Sequence, residues 1–481
     1  MKNLVFILLF SLAATFAFAQ SYDLSSYLIM DISGKAGVAI PVKGYVKNLG
    51  TEPVTSFDLN YQIDDNQIYT TTISSVTIPK NATYVFNHPT NFTPSNTGKF
   101  HEIKVWASKI NGDKEDENKQ NDIDSFNFFV NYGISGTKRV LIENVTSVQN
   151  GDVVDGYAII DDIMATHPDK IVNINHQIWG EMATLDFIDI SNDYKPAVPS
   201  AFIDRVFWPD QLKVGVPRTT WKNYVATQLN AKTPVNIQIT NVKYNESSST
   251  AEVSAKFDFV DAVGGDIRVS CVILENWITG SKLDYQQWNN YDGVSGHPYQ
   301  GKGNPINPSY FFRVARMYNT ANWGDWIDLD YPGFRIIPKD TTIVKNFTKR
   351  VIPDNWNKAQ MYVAVYVSYW DESIARRIVL NSIMVKLTPV GIEENEQKTS
   401  IKSIYPNPVD DYAYLSFSTE ANTDIVFSVY DVLGKKVAEI KEGTYAPGEH
   451  TLTFDASSLP KGTYSGVLQL NNQIHTVKFI K

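Results

Sequence analysis

A single cysteine among 481 residues leaves no partner for an internal disulfide, so the folded domains must stand on packing alone. That residue, Cys271, lies in the apolar run Ile267-Arg268-Val269-Ser270-Cys271-Val272-Ile273-Leu274 and reads as a small core hydrophobe. Basic charge is also short: 43 Lys and Arg against 52 Asp and Glu give −9, without a basic stripe, which removes nucleic acid from the expected partners. Of the histidines His88, His101, His167, His176, His297, His450 and His475, no two stand three or four apart. A zincin motif and a helical metal pair are therefore excluded. No Gly-x-Ser-x-Gly elbow is present, since Gly133-Ile134-Ser135-Gly136 and Gly293-Val294-Ser295-Gly296 both lack the final spacing. Phosphate-cradling and dinucleotide fingerprints are missing too. Beyond the first residues no segment is apolar enough to cross a bilayer, which takes about 20 residues, so no transmembrane segment is expected in the mature chain.

The amino end carries Lys2, a dense apolar run over 4–14 and the small-x-small site Ala17-Phe18-Ala19. This pattern predicts a signal peptide over 1–19, cleaved between Ala19 and Gln20. Aromatic residues reach 12%, with 26 Tyr and 10 Trp, a level that fits β-rich extracellular modules. Residues 20–131 alternate with period two, as in Phe57-Asp58-Leu59-Asn60-Tyr61-Gln62-Ile63, and predict an immunoglobulin-like sandwich. Over 132–231 the period changes. Strand-like Arg139-Val140-Leu141-Ile142-Glu143 precedes Val153, Val154, Tyr157, Ile160 and Met164 at helical spacing, then a buried-type strand at Ile171-Val172-Asn173-Ile174-Asn175. Strands return over 232–388 as a second β-sandwich carrying a long aromatic loop. The charged stretch 389–400 reads as a linker, and 401–481 as a small third sandwich. The expected class is thus multidomain and mainly β, with one α/β domain.

Three blocks in the tail stand out: Tyr405-Pro406-Asn407-Pro408, then Tyr430-Asp431-Val432-Leu433-Gly434-Lys435, then Gly462-Thr463-Tyr464 with Lys478 beyond. Their order and spacing resemble the type A C-terminal sorting domain of the type IX secretion system. The resemblance implies export through the periplasm to the cell surface, outer membrane or medium, with the secretion machinery as partner. The turn Asn48-Leu49-Gly50 and the acidic, Asn-rich stretch before the last strand of 20–131 look like a bacterial cell-adhesion-related (CARDB-type) domain. Glu143-Asn144-Val145-Thr146-Ser147 and the helix after it resemble the 28-kilodalton outer-membrane-protein family, which joins a thioredoxin-like domain to a β-domain; the likeness covers about 139–388. Aligned without gaps, that family's two cysteine positions fall on Asn150 and Val153, so disulfide chemistry has no nucleophile. Val198-Pro199 occupies the family's cis-proline place; the preferred reading is that Pro199 only fixes a turn, with a groove for an extended peptide as the alternative that the resemblance implies.

Eight aromatics fall in the long loop: Trp277, Tyr285, Trp288, Tyr291, Tyr299, Tyr310, Trp323 and Trp326. They are expected to form a buried satellite core, with an exposed ligand-stacking surface built on Trp277, Trp288, Trp323 and Trp326 as the alternative. Calcium is the one cofactor with candidate ligands, Asp325, Asp328 and Asp330, or the run Asp113, Glu115, Asp116, Glu117 and Asp122. Solvated acidic turns are the preferred reading of both, so no cofactor is expected. His176, at a strand end, is expected to be structural. The function expected is that of an exported, non-catalytic surface or extracellular binding or adhesion protein, its ligand a surface protein or glycan. The alternatives are a peptide-binding holdase at Val198-Pro199 and a hydrolase built in 277–330.

Overall fold

A computed structural model describes residues 20–28, 33–245, 248–328, 333–390, 401–405, 407–419, 422–431, 435–446, 448–470 and 473–481. The expected signal peptide with Ala19, residues 391–400 of the linker, and Asp330, Pro406 and Gly434 lie outside the described residues. The chain divides into two compact units, Met1–Val390 and Gly391–Lys481. Strands dominate both, as the alternating pattern predicts; the described α-helices are α1 (Val153–Thr166), α2 (Ile188–Tyr194) and α3 (Trp221–Leu229).

In the first unit, Leu24–Leu28, Lys43–Asn48 and Thr83–Asn87 form a three-stranded sheet. Opposite it lies a five-stranded sheet ordered Ser33–Lys35, Ile123–Asn131, Lys99–Ser108, Phe57–Ile63, Ile68–Ile73. Period-two residues such as Val46, Phe57, Leu59, Tyr61, Val105 and Phe128 point inward and are buried. Their hydrophobic cluster continues without a break into Val235, Phe257, Ile267 and Val365, so the first sandwich shares a core with residues further along the chain. Gly264 marks the contact: a Cβ there would sit 2.5 Å from ring atoms of both Phe100 and Phe129, so glycine lets the two rings pack directly on this strand's backbone. Asp261 adds polar stitching by accepting the N–H groups of Tyr132 and Gly133.

The largest sheet runs Gly215–Val216, Ser200–Ile203, Val140–Thr146, Ile171–Gln177, Val314–Tyr318, Val263–Glu275, Met361–Trp370, Val379–Lys386. Asp325–Trp326 and Phe334–Ile337 also pair with Val263–Glu275. Val140–Thr146 and Ile171–Gln177 are parallel and joined through α1, and every residue of both is buried. Fully buried parallel strands normally read as unbroken apolar runs; these carry Glu143, Asn144, Asn173, Asn175 and His176, so each polar group needs an internal partner. The segments expected as second and third domains meet in this sheet, at Asn175 opposite Val314. A four-stranded sheet of Thr341–Asn346, Thr250–Phe259, Val235–Asn245 and Thr388–Val390 supplies another layer. Thr388–Val390 shortens the linker expected from 389, because an edge strand tolerates Pro389.

The second unit is a sandwich of three strands (Ile401–Tyr405, Tyr412–Thr419, Gly448–Asp455) and four strands (Lys436–Tyr445, Thr423–Tyr430, Thr463–Leu470, Gln473–Ile480). Leu415, Phe417, Phe427, Leu452, Phe454 and Phe479 fill its core.

Candidate functional site

Asn150 and Val153, the positions that the resemblance aligns with cysteines, come together with the proline loop. Asn150 turns the chain into α1: its Oδ1 accepts the Asp152 N–H at 2.9 Å, and its Nδ2 donates to the Val198 carbonyl at 2.8 Å. Val153, the first residue of α1, is fully buried. The Val198-Pro199 peptide is cis. Over this corner lies the start of the long loop. Trp288 N–H donates to Val148 O (2.9 Å) and Asn290 N–H to Gly151 O (3.1 Å). The Gln287 amide donates to Asn150 O (3.0 Å), and Asn290 Nδ2 to Asp152 Oδ1 (2.9 Å). A Cβ on Gly151 would fall 2.8 Å from Asn290 N, so the loop is seated against bare backbone. Arg218 ties the same corner by bonding Asp155 (2.6 Å) and the Tyr291 hydroxyl (2.8 Å), and His297 reaches Asp155 at 3.3 Å.

On the α2 side of the sheet, Arg205 grips Glu143 through two bonds of 2.6 Å and donates to the Tyr366 hydroxyl at 2.9 Å. Burial by itself would raise the Glu143 carboxyl, but Arg205 and His176 hold it at about 2. Burial pushes His176 below its usual value despite Glu143 at 3.6 Å; its ring lies flat on Phe187, centroids 3.7 Å apart. A cation–π ladder leads outward from this group: Tyr366, Arg205, Trp323, Arg377, Trp370, Arg268 and Trp326 stack in turn at 4.2–5.8 Å. Asp193 and Asp266 pair with Arg377 and Arg268. Two of the four expected ligand aromatics, Trp323 and Trp326, are rungs of this ladder.

The buried satellite core expected of the loop aromatics holds for Tyr285, which packs against a small cluster, and needs correcting for three of the tryptophans. Trp277, Trp288 and Trp326 are 50%, 53% and 39% exposed. A small cluster of Val148, Met182, Ile278, Phe311 and Val314 already fills the space below, so the indoles lie outside it. Trp277 packs edgewise on Tyr310 and Phe312, Trp288 sits by Val148, and Trp326 sits over Arg268. No ring contact among the described residues joins them into one surface. The calcium candidates are engaged otherwise: Asp325 accepts the Ala321 N–H, and Asp328 pairs with Arg335. In the other run, Asp116 accepts the Leu24 and Asn118 N–H groups, and its burial beside Asp122 and Asp23 pushes it up to about 6. Among the described residues no three His, Cys, Asp or Glu side chains are arranged to hold a metal.

On the other side of the proline loop is a cavity of about 620 Å³. α2 ends at Lys195, which takes φ 44° and bonds Ser191 O, throwing the chain into Pro196-Ala197-Val198-Pro199. Pro199 forms one wall. Facing it are Tyr27 and Tyr45, cross-strand partners with rings stacked 4.6 Å apart, and Phe207, 6.0 Å beyond Tyr45. Burial pushes the Tyr45 hydroxyl up to about 12, so it remains a neutral donor. Lys195, Lys213 and Glu372 stand at the rim and form no ion pair among the described residues. Sequence reasoning found Pro199 but missed Tyr27, Tyr45 and Phe207; their only local signal is the strand period around Tyr45.

In the second unit the marked tail residues gather as turns. Asp431 and Lys435 exchange bonds: the Lys435 N–H donates to Asp431 Oδ1 and the Asp431 N–H to Lys435 O. Gly462 exchanges backbone bonds with Lys481, Asn407 accepts the Ile480 N–H, and the Asn407-Pro408 peptide is cis. Tyr405 pairs with Tyr414 in the three-stranded sheet. Asp431, Tyr464 and Lys478 line one cavity of about 390 Å³, with Tyr430, Ser465 and Lys478 in register across three strands.

Residues 403–481 match the family model of the secretion system C-terminal sorting domain. The tail is that of a type IX substrate: the protein is exported to the cell surface or extracellular space and engages that machinery. Among solved structures the chain is similar to HBP35 of Porphyromonas gingivalis at 14% identity, covering 73% of this chain and 100% of that one, TM-score 0.42. It is also similar to the CARDB domain of the PF1109 protein from Pyrococcus furiosus, solved with di-metal ions, at 20% identity over 24% of this chain and 96% of that one, TM-score 0.20. Protein AGR_C_4864 from Agrobacterium tumefaciens matches at 8% identity over 54% of this chain and 100% of that one, TM-score 0.34. No curated protein matches the sequence.

Proposed function

We propose that the exported protein is a non-catalytic binding protein whose ligand sits in the cavity between Tyr27, Tyr45, Phe207 and Pro199. The observation that carries this reading is that cavity: concave, about 620 Å³, walled by aromatic rings, with a few polar groups at its rim. The order strand, α1, strand, α2, strand, strand, α3, with a cis-proline ahead of Ser200–Ile203, supports reading 132–231 as thioredoxin-like. In such a domain chemistry belongs to thiols at the start of α1; here Asn150 and Val153 stand there under residues 287–297. The hydrolase alternative has little support, because Asp328 is paired with Arg335 and His297 with Asp155.

The peptide-holding alternative is weakened by the state of the proline loop. An extended peptide adds through free main-chain groups. The Val198 carbonyl is taken by Asn150 and the Ala197 carbonyl by Ser200 Oγ. Side-chain stacking is what the cavity offers instead. The test is a screen of the purified mature chain against glycans and surface proteins, with Tyr27→Ala as the site variant and Leu283→Ala, an exposed change elsewhere, as control. A hit lost with Tyr27→Ala and kept with Leu283→Ala is expected. Hits indifferent to Tyr27→Ala would remove the cavity from the function.

A further inference from the structure

We infer that the cavity takes an anionic saccharide, a sugar chain bearing carboxylate or sulfate groups. The inference rests on the binding role proposed for this cavity and adds the chemistry of its ligand. Three features point the same way. First, the lining is rich in flat apolar groups: the stacked rings of Tyr27, Tyr45 and Phe207, together with Pro196, Pro199 and Pro217. Aromatic faces of this kind take the C–H faces of sugar rings, leaving the Tyr hydroxyls as polar handles. Secondly, several main-chain groups at this cavity are absent or already engaged. Prolines have no N–H, the Ala197 and Val198 carbonyls are occupied, and the Lys213 and Ile374 carbonyls accept Trp208 N–H and the Tyr194 hydroxyl.

Thirdly, the rim carries Lys195 and Lys213, both exposed and neither in an ion pair among the described residues, against one unpaired carboxylate, Glu372. Other exposed lysines of this unit, such as Lys80, Lys170 and Lys302, also stand without an ion pair among the described residues, but Lys195 and Lys213 share the lining of one aromatic cavity. Two unpaired ammonium groups at the mouth of an aromatic cavity, in a chain of net charge −9, form a local positive site that attracts an anion while the rest of the surface repels it. Uronic-acid and sulfated chains share this chemistry.

The probes are polygalacturonate, dextran sulfate and neutral dextran, cast into native gels through which the mature full chain migrates. Retardation by polygalacturonate or dextran sulfate but not by dextran is expected; which of the two retards tells carboxylate from sulfate. The double variant Lys195→Ala with Lys213→Ala, and separately Tyr27→Ala, should each weaken binding about tenfold or more, and added salt should weaken wild-type binding. Retardation by dextran that is lost with Tyr27→Ala and untouched by the lysine changes would overturn the anionic class and leave the cavity as a binding site. No retardation by any polymer, or retardation indifferent to all three substitutions, would overturn the saccharide inference itself. Tryptophan fluorescence of each variant checks that folding is unchanged.

Discussion

Replacing Arg205 by Met while Glu143 stays in place should be among the most damaging single changes in the protein. The two side chains are 1% and 0% exposed and share two bonds of 2.6 Å. Arg205 also bonds Tyr366 and stacks against Trp323. Arg205→Met leaves an ionised, fully buried carboxylate with the His176 ring at 3.6 Å, and it removes the innermost rung of the cation–π ladder. Breaking one side of a buried pair costs about 3–5 kcal/mol, which is roughly two to three and a half decades in the folding constant. Replacing both partners, Glu143→Met with Arg205→Met, removes two desolvation penalties at once and should cost less than Arg205→Met alone. All ten tryptophans lie within 20–390 and none within 391–481, so urea unfolding followed by tryptophan fluorescence reads the first unit without the sorting unit. A loss under about 1 kcal/mol for Arg205→Met, or a double variant as damaged as the two singles added together, would refute the coupling argued here.

The sealed corner predicts that Asn150→Cys with Val153→Cys, which returns a cysteine pair to the start of α1, will not catalyse insulin reduction above background; turnover would mean that residues 287–297 leave the thiols open to substrate. Lys478 is exposed, without an ion pair among the described residues, and lines the cavity of Asp431 and Tyr464, so Lys478→Ala should change stability by less than about 0.5 kcal/mol while lowering surface delivery and raising the periplasmic fraction. Cell fractionation checks this, and normal delivery would remove Lys478 from recognition. Burial holds His176 below its unfolded value near 6.5. The stability it contributes is complete above that pH and is lost as the pH falls through the folded value. Asp204, pushed by burial up to about 6, acts in the opposite sense, gaining protons more readily folded than unfolded. The informative comparison is therefore His176→Gln against wild type: the variant should lose less stability between pH 7 and 5 in urea titrations, and parallel curves would count against a neutral buried imidazole.

What could be read from the sequence follows how far apart the cooperating residues lie. The tail was legible because its marks are local turns: Asp431 and Lys435 close one within a few residues, and alternation around Phe427 and Phe454 places the core. The parallel pair was legible too, since apolar residues flank Asn173 and Asn175 closely enough to mark a buried strand. Glu143 and Arg205 stand 62 residues apart, and Tyr45 and Phe207 farther still, so their meeting is a property of the sheet order and not of any segment. The loop tryptophans went the wrong way for a related reason: an aromatic residue is buried only if something covers it, and Val148, Met182 and Phe311 had already taken the space beneath. The same loop closes off the start of α1. A reactive pair at 150 and 153 needs open approach to the start of α1, whereas the backbone of 287–290 lies there, bonded to Val148, Asn150 and Gly151 with no room for a Cβ on Gly151. The start of α1 is thus covered by the backbone of 287–290, and the cavity lined by the tyrosines opens on the other side of Pro199.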